Sequence, residues 1–282
     1  MKHISVALIF SASMILTGTT VAAQDRATPL STFKDCDICP EMVVIPPGEF
    51  MMGSPADEPN RSTTGSENPY HKVTITRDFA IGKYETTWDE WEACVSAGGC
   101  GEYIPPDRDW GRGRRPVIVV SWEDAKLHAA FLTERTGHVY RLPTEAEWEF
   151  AARAGTTTPF STGQTITSDQ ANFNGTFTYN GSSEGQFRKK TTPVGSFPPN
   201  AFGLHDVYGN VMEYTEDCGN LNYDGAPTDG SAWIAGDCRF VNMRGGNWGS
   251  RPMLIRSAIR KRMYRNGKRD TLGFRLVREL ER

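Results

Sequence analysis

The stretch Gly203-Leu204-His205-Asp206-Val207-Tyr208-Gly209-Asn210-Val211-Met212-Glu213 sets two carboxylates among glycines, inside a segment (155–239) made mostly of Gly, Asn, Thr and Ser. Such a segment is too long for an idle loop in a compact domain. Something other than hydrogen-bonded ladders must organise it, and metal ions are the obvious candidate. A plainer reading is also open: carboxylates beside glycine turns bond backbone amides or pair with arginines.

Regular structure is predicted on either side. Thr87 and Glu90 form a capping box ahead of Trp88, Trp91 and Val95, with Gly98-Gly99 as the stop. Ser121 caps a second helix in which Ala125, His128, Ala129 and Leu132 share one face, and Gly137 follows its last turn. On that face His128 reads as a packed core residue. Thr144 and Glu147 open a third helix, which carries Trp148, Ala151 and Ala152 and is closed by Gly155. Short apolar runs at 42–45, 50–53, 73–76, 118–120, 239–243 and 272–277, separated by turn formers, are the predicted strands.

The 282 residues can bury one substantial core, and no Pro/Ser linker, charge block or internal repeat divides them. With 28 glycines, 17 prolines and 7 tryptophans, the composition suggests a loop-rich domain in which aromatics do much of the packing. A net charge of -3 does not suggest a nucleic-acid binder. Residues 1–23 read as a cleavable signal peptide: Lys2, an apolar run from Ile4 to Leu16 too short to span a bilayer, then Val21-Ala22-Ala23 before Gln24. Residues 24–41 are an extension carrying Cys36 and Cys39, and 42–282 the main domain. No later segment spans a membrane, so the expected location is periplasmic or secreted.

All 6 cysteines fall after the signal. Their spacing suggests Cys36 with Cys39, Cys94 with Cys100 and Cys218 with Cys238, although sequence alone leaves the connectivity open. An oxidising compartment favours disulfides, each contributing about 2–4 kcal/mol. Cys36-Asp37-Ile38-Cys39 also admits a redox reading.

The motifs Met42 to Gly53, Arg141 to Glu149, Gly203 to Glu213, Arg244-Gly245-Gly246 and Leu272-Gly273-Phe274-Arg275 occur in that order. Together they resemble the formylglycine-generating, sulfatase-modifying-factor family over nearly the whole mature chain. The resemblance implies a single α+β domain of the C-type-lectin-related kind, poor in regular structure and stabilised by calcium and disulfides. Its second calcium site maps onto side-chain oxygens of Asp206 and Glu213 and carbonyls of Gly209 and Val211, a hard-oxygen set that suits calcium. Its other site begins at Asn172 and the Phe173 carbonyl and finishes between Glu184 and Lys190.

At the family's catalytic pocket the chain departs from the pattern. Sulfatase-activating members hold copper(I) between two cysteines, and those positions are Ser250 and Ile255 here. Neither supplies the thiolate that soft ion prefers. The family's pocket serine, histidine, asparagine and tryptophan align with Asn247, Arg251, Thr271 and Met212, so formylglycine generation is not expected, and any redox metal is unassigned. Asn247, Ser250, Arg251 and Thr271 are the pocket candidates.

The segment 251–269 is strongly basic, with Arg251, Arg256, Arg260, Lys261, Arg262, Arg265, Lys268 and Arg269 and no acid. It would steer a carboxylate-bearing substrate, or supply internal struts to acids such as Glu145, Glu147 and Glu149. Two functions follow. The resemblance to the family's exported branch, which matures a siderophore chromophore in the periplasm, implies an oxidative maturation factor acting on an exported peptide, a siderophore-like molecule or another acidic substrate. The alternative is a non-catalytic, calcium-stabilised binding module on the same scaffold.

Overall fold

The structure is a computed structural model, and it describes Met1 and residues 28–281. The proposed signal peptide, Met1 apart, lies outside the described residues. Three helices form where the caps Thr87, Ser121 and Thr144 predict them: α1 (Trp88–Ser96), α2 (Trp122–Thr136) and α3 (Glu145–Arg153). In each, the hydroxyl of Thr87, Ser121 or Thr144 accepts the amide of Glu90, Asp124 or Glu147, whose carboxylate accepts the cap amide in return. Two otherwise orphaned donors are thus satisfied at every helix start. After α3 the left-handed turn falls on Ala154, one residue ahead of the predicted Gly155.

The strands are β1 (Thr32–Phe33), β2 (Met42–Ile45), β3 (Gly48–Met52), β4 (His71–Ile75), β5 (Phe79–Gly82), β6 (Tyr140–Arg141), β7 (Met212–Cys218), β8 (Phe240–Arg244), β9 (Lys261–Tyr264), β10 (Leu272–Gly273) and β11 (Val277–Glu279). They form a five-stranded sheet ordered β1-β2-β5-β11-β6, a four-stranded sheet ordered β10-β7-β8-β9, and a β3-β4 hairpin. The segment ahead of Met42 packs with the domain, since β1 pairs antiparallel with β2. This is the α+β, loop-rich architecture expected.

Two predicted strands differ in instructive ways. Residues 118–120 are buried but form no strand: the amide of Val117 goes to Thr86 and that of Val119 to Arg269, with Val119 at φ 59°. The run 272–277 is split, because β10 lies parallel to β7 while β11 runs antiparallel to β5 and β6 in the other sheet. Phe274, Arg275 and Leu276 therefore cross between the sheets, and that crossing positions the site described below.

One apolar core gathers Trp88, Trp91, Leu132, Leu142 and Phe274, and a second gathers Val43, Ile45, Trp148, Phe160 and Tyr208. Disulfides join Cys36 to Cys39, Cys94 to Cys100 and Cys218 to Cys238, as the spacing suggests, with no free cysteine among the described residues. His128 is a core residue, its ring 6.1 Å from that of Trp91 and 5.6 Å from that of Phe274.

Burial pushes the His128 imidazole down from 6.5 to about 4. Between those values the unfolded chain takes up a proton that the native state refuses, so stability present above pH 6.5 is lost as the pH falls, by up to about 3 kcal/mol. Urea midpoints at pH 7.5 and pH 5 should differ less in His128→Phe than in the wild type. An unchanged difference would show that this imidazole is not the titrating group.

Candidate functional site

The crossing chain delivers Arg275 to Glu213, at the second position of β7. Its Nε and Nη2 donate to the two Glu213 oxygens at 2.6 and 2.7 Å, and Trp148 Nε1 donates to Glu213 Oε2 at 2.7 Å. Arginine pairing, the plainer of the two readings, thus holds for Glu213. Around this pair stand two more buried carboxylates. Asp206 Oδ2 accepts the Gly195 amide at 2.7 Å, while Glu85 accepts the Val211 amide at 3.0 Å and the Asn210 side chain at 2.5 Å. Burial pushes Asp206 up to about 6, and burial with the charges of Asp206 and Glu213 pushes Glu85 well up. Glu85 escaped the sequence reading, for which it was an isolated acid ahead of the α1 cap.

Asn210 ties this cluster to the other expected metal position. Its Oδ1 accepts from Asn172 Nδ2 at 3.0 Å, and its amide donates to the Asn172 carbonyl at 2.8 Å. Asn172 also donates to the Lys190 carbonyl at 3.0 Å, so the 172–173 and 184–190 segments do meet. Gly209 is required at this approach: at φ +84°, its added Cβ would lie 2.2 Å from the Asn172 carbonyl oxygen.

Two oxygens in this region, Asp206 Oδ1 and Asn172 Oδ1, are buried without a hydrogen-bond partner. Orphaned hard oxygens, in a setting where three buried acids share one bonded guanidinium, that of Arg275 on Glu213, fit calcium chemistry. Among the described residues no three His, Cys, Asp or Glu side chains form a metal-binding group. A calcium ion would therefore draw on amide and backbone oxygens as well. Asn172 with the Phe173 carbonyl would hold an ion at one expected site, and Asp206 with the Gly209 and Val211 carbonyls at the other; Glu213 is already committed to Arg275 and Trp148. The ion would supply charge neutralisation and loop order.

The pocket candidates gather around Trp248. Ser250 Oγ accepts the Asn247 amide at 3.1 Å, and Asn247 Oδ1 accepts the Gly249 amide at 3.0 Å, which closes a tight turn. Trp248 Nε1 donates to the Asp270 carbonyl at 3.2 Å, drawing that turn to Thr271, whose carbonyl in turn accepts the Met212 amide. Arg251 is exposed, its guanidinium 4.2 Å from the Phe177 ring. Ile255, at the second cysteine position, is completely buried. Trp248 meets Trp110 edge-on at 5.4 Å and stacks on Phe187 at 6.3 Å. That aromatic rim was missed because its members are scattered along the sequence.

The basic segment divides in two. Arg256 and Arg260 are buried struts: Arg260 forks onto Glu145 at 2.6 and 2.7 Å, and Arg256 bridges Glu58 and Glu67. Glu145 and Glu149 also hold Arg244, while Glu147 pairs with Arg141. Arg265 pairs with Glu123 and Lys268 with Asp124. Arg251, Lys261, Arg262 and Arg269 remain exposed.

The α+β fold and the ordered motifs that meet at the Glu213–Arg275 crossing are those of a formylglycine-generating-type domain. The family model for the sulfatase-modifying factor enzyme 1-like domain matches residues 29–280, and the chain belongs to that family. It is 31% identical to the formylglycine-generating enzyme of Mycobacterium tuberculosis over 237 residues, 62% of this chain and 73% of that one. The serine/threonine-protein kinase pkn1 of Chlamydia caviae is 28% identical over 263 residues, but this chain spans only 38% of its length. Among solved structures, PvdO from Pseudomonas aeruginosa superposes with a TM-score of 0.80 and 40% identity, covering 90% of this chain and 100% of that one. Treponema denticola variable protein 1, at TM-score 0.70 and 22% identity, shares the fold.

Proposed function

We propose that this protein is an exported maturation factor that oxidises a substrate met after translocation, with dioxygen as the acceptor, and that it does so without the family's thiolate copper site. The observation that carries the reading is the similarity to PvdO over 90% of this chain, at 40% identity, in a chain with Ser250 and Ile255 at the copper-ligand positions. The substrate class is an exported peptide, a siderophore-like molecule or another acidic compound, approached over the rim formed by Trp110, Phe187 and Trp248 with the exposed Arg251 as its cation. The test combines elemental analysis of the mature protein with oxygen uptake in the presence of such substrates. Uptake that depends on Arg251 supports the reading. Calcium alone, with no redox metal and no uptake, overturns it.

The binding-module reading is favoured by one observation. The Ser250 hydroxyl is tied to its own turn and Ile255 lies in the core, so neither former cysteine position presents a reactive group. An Arg251→Ala variant that loses turnover at unchanged stability would exclude the module.

Calcium belongs to either reading, and we propose it as a structural ion. At 10 mM calcium and a dissociation constant of about 0.1–1 mM, binding to the native state alone adds about 1.4–2.7 kcal/mol, which is a shift on the order of 5 °C for a domain of this size. Excess chelator should lower the wild-type melting temperature by that much, and should lower that of Asp206→Asn by far less. Equal shifts in both proteins would remove Asp206 from the site.

A further inference from the structure

A second cleft, of about 610 Å³, opens between the 60–66 loop, residues 220–221 and the 253–262 segment. Its volume falls in the range of small-molecule sites. None of Asn247, Ser250, Arg251 and Thr271 lines it, so it is separate from the family pocket. Its lining contains Arg61, Arg260, Lys261 and Arg262 and no Asp or Glu.

These cations are not equivalent. Arg260 is neutralised by Glu145, and Arg61 donates to Ser54 and Asn68. Arg262 gives only Nη1 to a carbonyl, that of Gly219 at 3.3 Å, while its guanidinium lies 4.9 Å from the Phe240 ring. Among the described residues, neither Lys261 nor Arg262 is in an ion pair, although Arg260 just before them and Arg265 three residues after Arg262 are. A guanidinium with donors to spare is a ready partner for a carboxylate. Beside it the cleft holds apolar surface from Leu221, Met253, Leu254 and Ile259, with Leu221 67% exposed. Ser62, Thr63 and Thr64 add hydroxyls to the lining.

We propose that this cleft binds a carboxylate-bearing organic anion, its acid group held by Arg262 with added charge from Lys261, and its apolar body against Leu221 and Met253. The combination is what selects the class: inorganic anions have no use for the apolar wall, and neutral compounds have none for the unpaired guanidinium. Because the cleft shares no residue with the pocket candidates, the inference stands whether or not the oxidative role does.

The probe is 2-naphthoate, titrated into the mature protein and followed by calorimetry and by amide chemical shifts. Two comparators accompany it: 2-naphthamide, which keeps the body and loses the charge, and inorganic phosphate, which keeps charge and loses the body. Naphthoate should saturate, shift the resonances of Leu221 and Arg262, and bind at least about tenfold more tightly than either comparator. A double variant with Lys261→Gln and Arg262→Gln, both exposed and hence expected to melt as the wild type does, should weaken it about tenfold, whereas Arg251→Gln should not. Equal binding of naphthamide, equal binding of phosphate, undiminished binding by the double variant, or no saturable binding at all would each overturn the proposal.

Discussion

Replacing Arg275 with Met should destabilise the protein by about 3–5 kcal/mol, the cost of stranding a buried charge by deleting its partner. Glu213 is completely buried, and its carboxylate is forked by the Arg275 guanidinium. The same guanidinium donates to the carbonyls of Gly82 at 3.1 Å and His205 at 3.0 Å, so its removal also leaves those oxygens short of a donor. Glu85 and Asp206 lie close enough for the Arg275 charge to offset part of the rise that burial gives their carboxyls. Without it, three acids share one low-dielectric site, and no guanidinium is left bonded to Glu213, with only the more distant charge of Arg114 still acting on Asp206. A loss of that size corresponds to a melting temperature lower by on the order of 10 °C, readable by calorimetry. Arg275→Lys should recover only part of it, because an ammonium keeps the charge and loses the planar fork. A change below about 1 kcal/mol would mean that Glu213 is neutral or otherwise satisfied, and that this crossing does not anchor the two sheets.

The sequence announces the elements whose signals are local. Thr87, Ser121 and Thr144 can be read as caps because the whole motif lies within four residues. Cys36, Cys94 and Cys218 can be matched to their partners because each partner is the next cysteine along. The strand β7 is another matter: Met212-Glu213-Tyr214-Thr215-Glu216-Asp217-Cys218 looks too acidic for an interior strand, yet nearly all of it is buried. Its acids are satisfied by groups far away in sequence, Glu213 by Arg275 and Asp217 by the amides of Glu145 and Trp233. The pocket was legible as a set of positions, Asn247 and Ser250 in one turn with Thr271 drawn to it, but its aromatic rim was not, since Trp110, Phe187 and Trp248 meet only once the loops are folded. The basic run 251–269 shows the same limit. Its composition is uniform, but its residues divide into buried struts and free surface cations according to which acids the fold brings to them.

Arg256 is the strut whose loss should be felt at the greatest distance from its own position. It is completely buried and joins Glu58 and Glu67 through Nη1, while Nη2 reaches Glu67 at 2.8 Å and the Asn60 carbonyl at 3.2 Å. Glu67 also accepts the Ser62 amide at 3.0 Å, so this guanidinium is one anchor of the loop that walls the second cleft, beside Arg260, which donates to the Ser66 carbonyl at 3.0 Å. Arg256→Met keeps most of the volume and strands both carboxylates, for an expected loss of about 3–5 kcal/mol at neutral pH. The pH dependence gives the mechanism away. In the wild type, burial works against ionisation of Glu67, but the Arg256 hydrogen bonds and charge overcome it and hold that carboxyl below 4.5; its stabilising contribution is present above pH 4.5 and is lost as the pH falls. In the variant burial raises the Glu67 carboxyl as well, and Glu58, which burial already holds above 4.5 in the wild type, rises further without the Arg256 charge, so stability is lost as the pH rises through their new range. The gap between the two proteins should therefore be widest near pH 7 and narrow steadily toward pH 4, and urea unfolding at four or five pH values would trace it. A gap independent of pH would instead assign the loss to packing around Met253 and Ile255, and the loop would need another anchor.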